Sequence, residues 1–243
     1  MEEMKMKKML VLVSVLLLSS AAMAETWDLV DDFSSTTNPS GAWSYGCIDG
    51  GVYTNLPEFI AGTEPTGNNF AAWRNSGGDW DSKGNIQKIL DGNPFELYTS
   101  YRYPGEMACG PSSTGLQTTV RWTCPTDGVY PVSLEWVGLS TKAGGTTVGC
   151  TFAVNGSVEF SEQLAGFIGR DINNYEDRHG AWQQTYSGVL TLSAGDVLDM
   201  IIDRGADQDG GADCTGMNFT VTPEPFTMAL LGLGGMALLR RRR

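Results

Sequence analysis

Val129-Tyr130-Pro131-Val132-Ser133-Leu134-Glu135-Trp136-Val137 alternates in polarity, with Tyr130, Val132, Leu134 and Trp136 on one face and Pro131, Ser133 and Glu135 on the other. Successive side chains of a strand point to opposite sides, so a period of two predicts a half-buried β-strand. Downstream, Thr147 to Val154 repeats the pattern and sets Val148, Cys150, Phe152 and Val154 on one face. Asn155-Gly156 follows at once, and because that dipeptide accepts positive φ it predicts a tight hairpin into Ser157 to Phe160. Val189 to Leu192, Val197 to Ile202 and Met217 to Val221 are further short strands, with a turn at Ala194-Gly195-Asp196 between the first two. Trp27 to Phe33 and Gln117 to Thr123 complete a set of about eight. Strands this short, with almost no helical period between them, predict an all-β fold, an antiparallel β-sandwich. Pro131 has no N–H for the ladder, which predicts an edge strand or an N–H position turned away from a partner.

The chain has 243 residues, 41% hydrophobic and 18% charged, enough for one sizeable core. Between Gly41 and Pro111 the pattern weakens. Trp43, Tyr45, Trp73, Trp80, Tyr98, Tyr101 and Tyr103 stand there among Gly, Asn and Asp, which predicts long loops and edge strands on the same sandwich.

The formal charge is −12, and the positive charges gather at the ends. Residues 25–222 hold nine Lys and Arg against 25 Asp and Glu, a net charge of −16. Binding to nucleic acid needs clustered Lys and Arg to neutralise phosphates, so it is excluded as a function class.

The first 24 residues carry Lys5, Lys7 and Lys8, an apolar run from Met9 to Leu18, and the small-residue triplet Ala22-Met23-Ala24. That order predicts a secretory signal peptide whose helix is too short to span a bilayer, cleaved by the Ala22/Ala24 rule so that the mature chain starts at Glu25. At the other end Pro223-Glu224-Pro225 precedes an apolar run, residues 226–239, and then four arginines, Arg240 to Arg243. As a helix those 14 residues reach about 21 Å against a hydrocarbon core of roughly 30 Å, a short transmembrane helix that depends on its basic end for retention.

Pro-Glu-Pro, a short apolar helix and a basic terminus, in a chain with a signal peptide, closely resembles the PEP-CTERM sorting signal of bacteria. The resemblance covers residues 223–243. It implies recognition of Pro223, Glu224 and Pro225 by a membrane-embedded exosortase, a transient membrane anchor, and delivery of the body, residues 25–222, to the cell surface or extracellular matrix. Members of that family are commonly associated with exopolysaccharide production.

Within the body, Asp127-Gly128-Val129-Tyr130 into Trp136, Gly145-Thr146-Thr147 into Val154-Asn155-Gly156, and Leu192-Ser193-Ala194-Gly195-Asp196-Val197-Leu198-Asp199 resemble the galactose-binding-type jelly roll of many carbohydrate-binding modules. The resemblance spans roughly residues 117–221 and implies a jelly roll-like sandwich that often holds a structural calcium.

Asp203, Asp207, Asp209 and Asp213 lie in a Gly-rich stretch that can wrap several oxygens round a hard cation, so they are the candidate calcium ligands; the bland alternative is a solvated acidic loop. Sugar rings stack their C–H faces on aromatic rings while Asn, Asp and Arg hold their hydroxyls. Trp73-Arg74-Asn75, Trp80-Asp81, Tyr101-Arg102-Tyr103 and Trp182-Gln183-Gln184 have that makeup, and each also reads as core packing.

Catalysis has little to stand on. His179 is the only histidine, and no spacing singles out a carboxylate pair. Five cysteines leave an odd one: Cys150 shares a face with Phe152 and Val154 and reads as a buried thiol, and Cys109 with Cys124 is the expected pair. The expectation is an exported, exosortase-sorted β-sandwich that binds extracellular polysaccharide and is not an enzyme. The alternatives are an acidic, calcium-stabilised structural protein of the envelope and, last, a glycoside hydrolase.

Overall fold

The computed structural model describes residues 26–63, 67–76, 84–92, 95–97, 100–140, 146–166, 183–206, 208 and 213–224. In chain order the strands are β1 (Trp27–Asp28), β2 (Trp43–Asp49), β3 (Val52–Asn55), β4 (Glu58–Thr63), β5 (Asn69–Arg74), β6 (Asn85–Ile89), β7 (Phe95–Leu97) and β8 (Ser100–Arg102). They continue with β9 (Met107–Gly110), β10 (Gln117–Thr123), β11 (Gly128–Gly138), β12 (Thr146–Val154), β13 (Ser157–Gly166), β14 (Gln183–Leu192), β15 (Val197–Asp203) and β16 (Thr215–Val221). One sheet runs β14-β11-β16-β9-β6-β5-β4, with β1 added along β16; the other runs β13-β12-β15-β10-β2-β3. β7 and β8 form a separate hairpin. The fold is an all-β antiparallel sandwich.

The alternation that predicted the strands builds the layer between the sheets. Tyr130, Val132, Leu134 and Trp136 of β11, with Met217, Phe219 and Val221 of β16, face Val148, Cys150 and Phe152 of β12 and Leu198, Met200 and Ile202 of β15 in one buried cluster. Phe219 is met edge-on from the opposite sheet by Trp43 at 5.3 Å and by Phe152 at 6.2 Å. Each large side chain buried this way contributes about 1.5–3 kcal/mol by the area it removes from water. The Asn155-Gly156 hairpin is formed, with φ of 51° and 80°, and Val154 pairs with Ser157 across it.

Gly41 to Pro111 is not mainly loop. It supplies β2 to β9 and completes both sheets. Of these, β2, β5 and β6 carry little alternation because both of their faces are covered. Trp43 to Cys47 of β2 and Phe70 to Trp73 of β5 are buried in unbroken runs. Outside the main core, Phe70, Ala72 and Ile89 form a second apolar cluster, and Ala108, Val137, Leu139 and Cys214 a third.

Pro131 departs from the edge-strand alternative, since β11 lies between β14 and β16. Its carbonyl accepts the Thr222 amide at 3.0 Å. In an antiparallel ladder a residue's N–H and C=O point to the same neighbour, so the missing N–H falls opposite Thr222, just past the end of β16.

Candidate functional site

Two of the aromatic candidates sit in the interior. Trp73 is 6% exposed, packs against Phe59 at 5.2 Å, and donates its Nε1–H to the Ser34 carbonyl at 2.8 Å. Tyr103 is 4% exposed. Neither offers a ring face to a sugar, because each is needed to close the core. Tyr101 lies in β8. Trp80, Trp182 and His179 lie outside the described residues, as do Ala22, Ala24 and Pro225.

Of the four candidate calcium ligands, Asp207 and Asp209 lie outside the described residues. The other two meet the same strand. Asp203 Oδ1 accepts the Gly205 amide at 2.8 Å and lies over Gly149, where a Cβ would come within 2.3 Å of it. Asp213 is 2% exposed, and its Oδ1 accepts the Thr147 amide at 3.2 Å. Asp213 is thus bonded to β12, while Asp203 packs over it and bonds within its own turn. Among the described residues no three His, Cys, Asp or Glu side chains gather as a metal-binding group.

The cysteines correct the expected pairing. Cys109 lies in β9 with its Sγ at 2.7 Å from Met217 Sδ, while Cys124 follows β10 in the other sheet and donates to the Thr126 carbonyl at 2.9 Å. All five cysteines are buried thiols. Burial pushes the Cys47 thiol up to about 11, against the opposing hydrogen bond of Thr118, and pushes the Cys150 thiol up as well. A thiol must ionise to react. Native protein is therefore expected to resist alkylation at pH 8, and protein unfolded without reductant to take up five labels; mass spectrometry checks this, and three labels would reveal a bridge.

A cleft that the sequence did not single out opens on the outer side of the eight-stranded sheet, with a volume of about 160 Å³. Glu135 of β11 pairs with Asn218 of β16, so their side chains stand together on the same outward face. Glu106, Pro104 and Val30 close the rim. Gly216 makes the room, because a Cβ there would lie 2.8 Å from Glu106 Oε1. Glu135 Oε1 is held by the Gln183 side-chain amide, and Lys88 Nζ donates to the Val30 carbonyl beside the rim. Carboxylates and an amide above the apolar edges of Met107 and Val137 suit a ligand with hydroxyls on an apolar ring. The one available signal was Glu135 itself, which the alternation of β11 turns away from the core.

The six-stranded sheet carries a different polar group on its outer face. Arg121 binds Asp199 through two bonds of 2.7 and 2.8 Å, and its guanidinium lies 3.8 Å from the centre of the Tyr53 ring. Tyr53 donates to Ser44 Oγ at 2.9 Å, and burial pushes its hydroxyl up to about 12. Each polar group here answers a neighbour, so the arrangement fastens β3 and β10 together.

At the end of β16 the chain keeps the line of the strand. Thr222 donates to the Pro131 carbonyl at 3.0 Å and Glu224 to the Val129 carbonyl at 2.8 Å. Pro223 and Glu224, two thirds of the tripeptide singled out in the sequence, are thus part of the folded body. The run 226–239 lies outside the described residues, and among those described no helix is long and apolar enough to cross a membrane.

No curated protein matches the chain in sequence. Among solved structures, the CBM51 of Clostridium perfringens GH95 in complex with methyl-galactose is similar at 9% identity, over 82% of this chain and 100% of that one, with a TM-score of 0.34. A family 35 carbohydrate binding module from Clostridium thermocellum matches at 13% identity over 68% and 98%, TM-score 0.28. Rabbit GITRL matches at 10% over 43% and 70%, also with a TM-score of 0.28. At these TM-scores the likeness says nothing of what this chain binds. Residues 221–243 match the PEP-CTERM protein-sorting motif. The chain therefore carries the signal of an exported protein, anchored in the membrane in transit and processed by exosortase.

Proposed function

We propose that this protein is an exosortase-sorted surface or matrix protein that binds extracellular polysaccharide through the cleft at Glu106, Glu135 and Asn218, without catalysing a reaction. The cleft is the observation that carries the reading. Its polar groups match hydroxyls, and its volume, about 160 Å³, suits one residue of a longer chain rather than a whole drug-sized ligand of roughly 300–1,000 Å³. A body with a net charge of −16 favours neutral or cation-bridged glycans over polyanionic ones. Calcium held by Asp203 and Asp213, with Asp207 and Asp209, belongs to the same reading as a structural ion.

Affinity electrophoresis of residues 25–224 through gels containing individual polysaccharides, with calcium and with chelator, tests it. Retardation is expected in at least one neutral polysaccharide. Asn218→Ala with Glu135→Gln is expected to abolish it, with loss of about tenfold or more in affinity from two hydrogen-bonding groups. Equal mobility in every gel moves the reading to a structural envelope protein without glycan specificity.

A further inference from the structure

The register that pairs Val132 with Val221 continues beyond the strand, setting Pro131 opposite Thr222, Tyr130 opposite Pro223 and Val129 opposite Glu224. Thr222 and Glu224 occupy the hydrogen-bonded positions, and both bonds are made. Pro223 falls at the intervening position that faces away from β11's carbonyls, where its missing N–H costs no ladder bond. One feature limits the grip: Pro131 cannot return a bond to the Thr222 carbonyl.

β16 itself cannot follow the motif into an enzyme. It lies between β11 and β9, and β1 pairs along its last residues through Trp27 with Val221 and Asp28 with Thr220. In sequence, Pro225 alone separates Glu224 from Phe226, where the apolar run begins. At no more than about 3.6 Å per residue, the run starts within roughly 7 Å of the last hydrogen bond to the body.

We propose that the folded body holds Pro223 and Glu224 of its own sorting signal as an extension of β16 on β11, and that the membrane-embedded sorting enzyme engages the signal only after this extension comes off. The inference rests on the reading of residues 221–243 as a sorting motif. A processing enzyme must surround the backbone it acts on, and an amide already donating to its own sheet is closed to it. The proline at 131 removes one bond from the extension, which keeps it releasable while the rest of β16 stays fixed.

Pulse-chase of the full chain in the cells that produce it, following loss of the tail, tests the proposal with two variants of opposite sign. Pro131→Val restores the N–H and lets the Thr222 carbonyl be bonded, so processing is expected to slow severalfold, the factor one net backbone hydrogen bond sets. A six-residue Gly-Ser spacer inserted between Thr222 and Pro223 carries the motif clear of β11, so processing is expected to quicken. Unchanged rates, or shifts in the same direction, overturn the proposal. A third variant, with Pro223, Glu224 and Pro225 all replaced by Ala, separates the two levels. Its failure to be processed keeps the sorting reading and leaves the rates to decide the extension; its processing at the wild-type rate sinks the sorting reading itself.

Discussion

Replacing Trp122 with alanine is expected to remove about 3–5 kcal/mol of folding free energy, much of what a domain of this kind possesses. Trp122 is fully buried on β10 and meets Trp27 edge-on at 5.3 Å and Tyr130 at 5.4 Å. Those partners belong to β1 and β11 of the opposite sheet, so one side chain joins the two layers next to the end where the sorting motif leaves. The loss combines the transfer free energy of the ring with the cavity left behind, since neighbours fixed by two sheets cannot collapse into it. Urea unfolding followed by circular dichroism measures it. Trp122→Phe keeps most of the apolar volume and is expected to cost clearly less; equal losses for both variants would mean that ring packing is not what Trp122 supplies.

The second large effect concerns destination. Deleting residues 223–243 is expected to send the body into the medium, because the Pro-Glu-Pro tripeptide, the apolar run and the basic terminus of the sorting motif all lie in that stretch. Read as a helix, residues 226–239 would reach about 21 Å against roughly 30 Å of hydrocarbon and would depend on the four terminal arginines to stay on the side where basic residues are retained. Fractionation of cells and medium followed by immunoblotting reads the outcome. Continued retention of the truncated chain at the surface would mean that the body itself, through the cleft or another face, is the dominant tether.

The strands with one open face, β11 and β12, were legible from their alternation and extend their predicted cores by a residue or two. Gln117–Thr123 is a strand with the predicted limits and β15 extends its predicted core by one residue, although both are buried over most of their length. Trp27 to Phe33 was predicted as one strand, but only Trp27–Asp28 pairs. Asp28 Oδ1 accepts the amides of Val30 and Asp31 at 2.8 and 3.2 Å, and that local bonding turns the chain out of the sheet. β14 starts at Gln183 rather than Val189, since the backbone of Gln183 to Ser187 continues the ladder with β11 without an apolar run to mark it. β2, β5 and β6 were hidden because burial on both faces erases the period of two.

The site was harder to read for a related reason. A tryptophan among polar neighbours looks the same in sequence whether its ring faces solvent or, like that of Trp73, closes the core with its N–H on a distant carbonyl. Glu135 and Asn218 come from strands far apart in the chain, and only the register of β11 with β16 brings them together over Gly216. The sorting motif was legible because its chemistry is carried by order along the chain. Its attachment to β11 was not, since it depends on a partner more than ninety residues away.

The most direct test of the central claim, an exported body released from a membrane tail at the Pro-Glu-Pro motif, is the intact mass of the protein recovered from the surface or matrix of the cells that make it. The account predicts a chain that has lost both the first 24 residues and the apolar, arginine-ended tail, ending near Pro223 to Pro225. A mass that still includes residues 226–243 in the mature surface protein would contradict it.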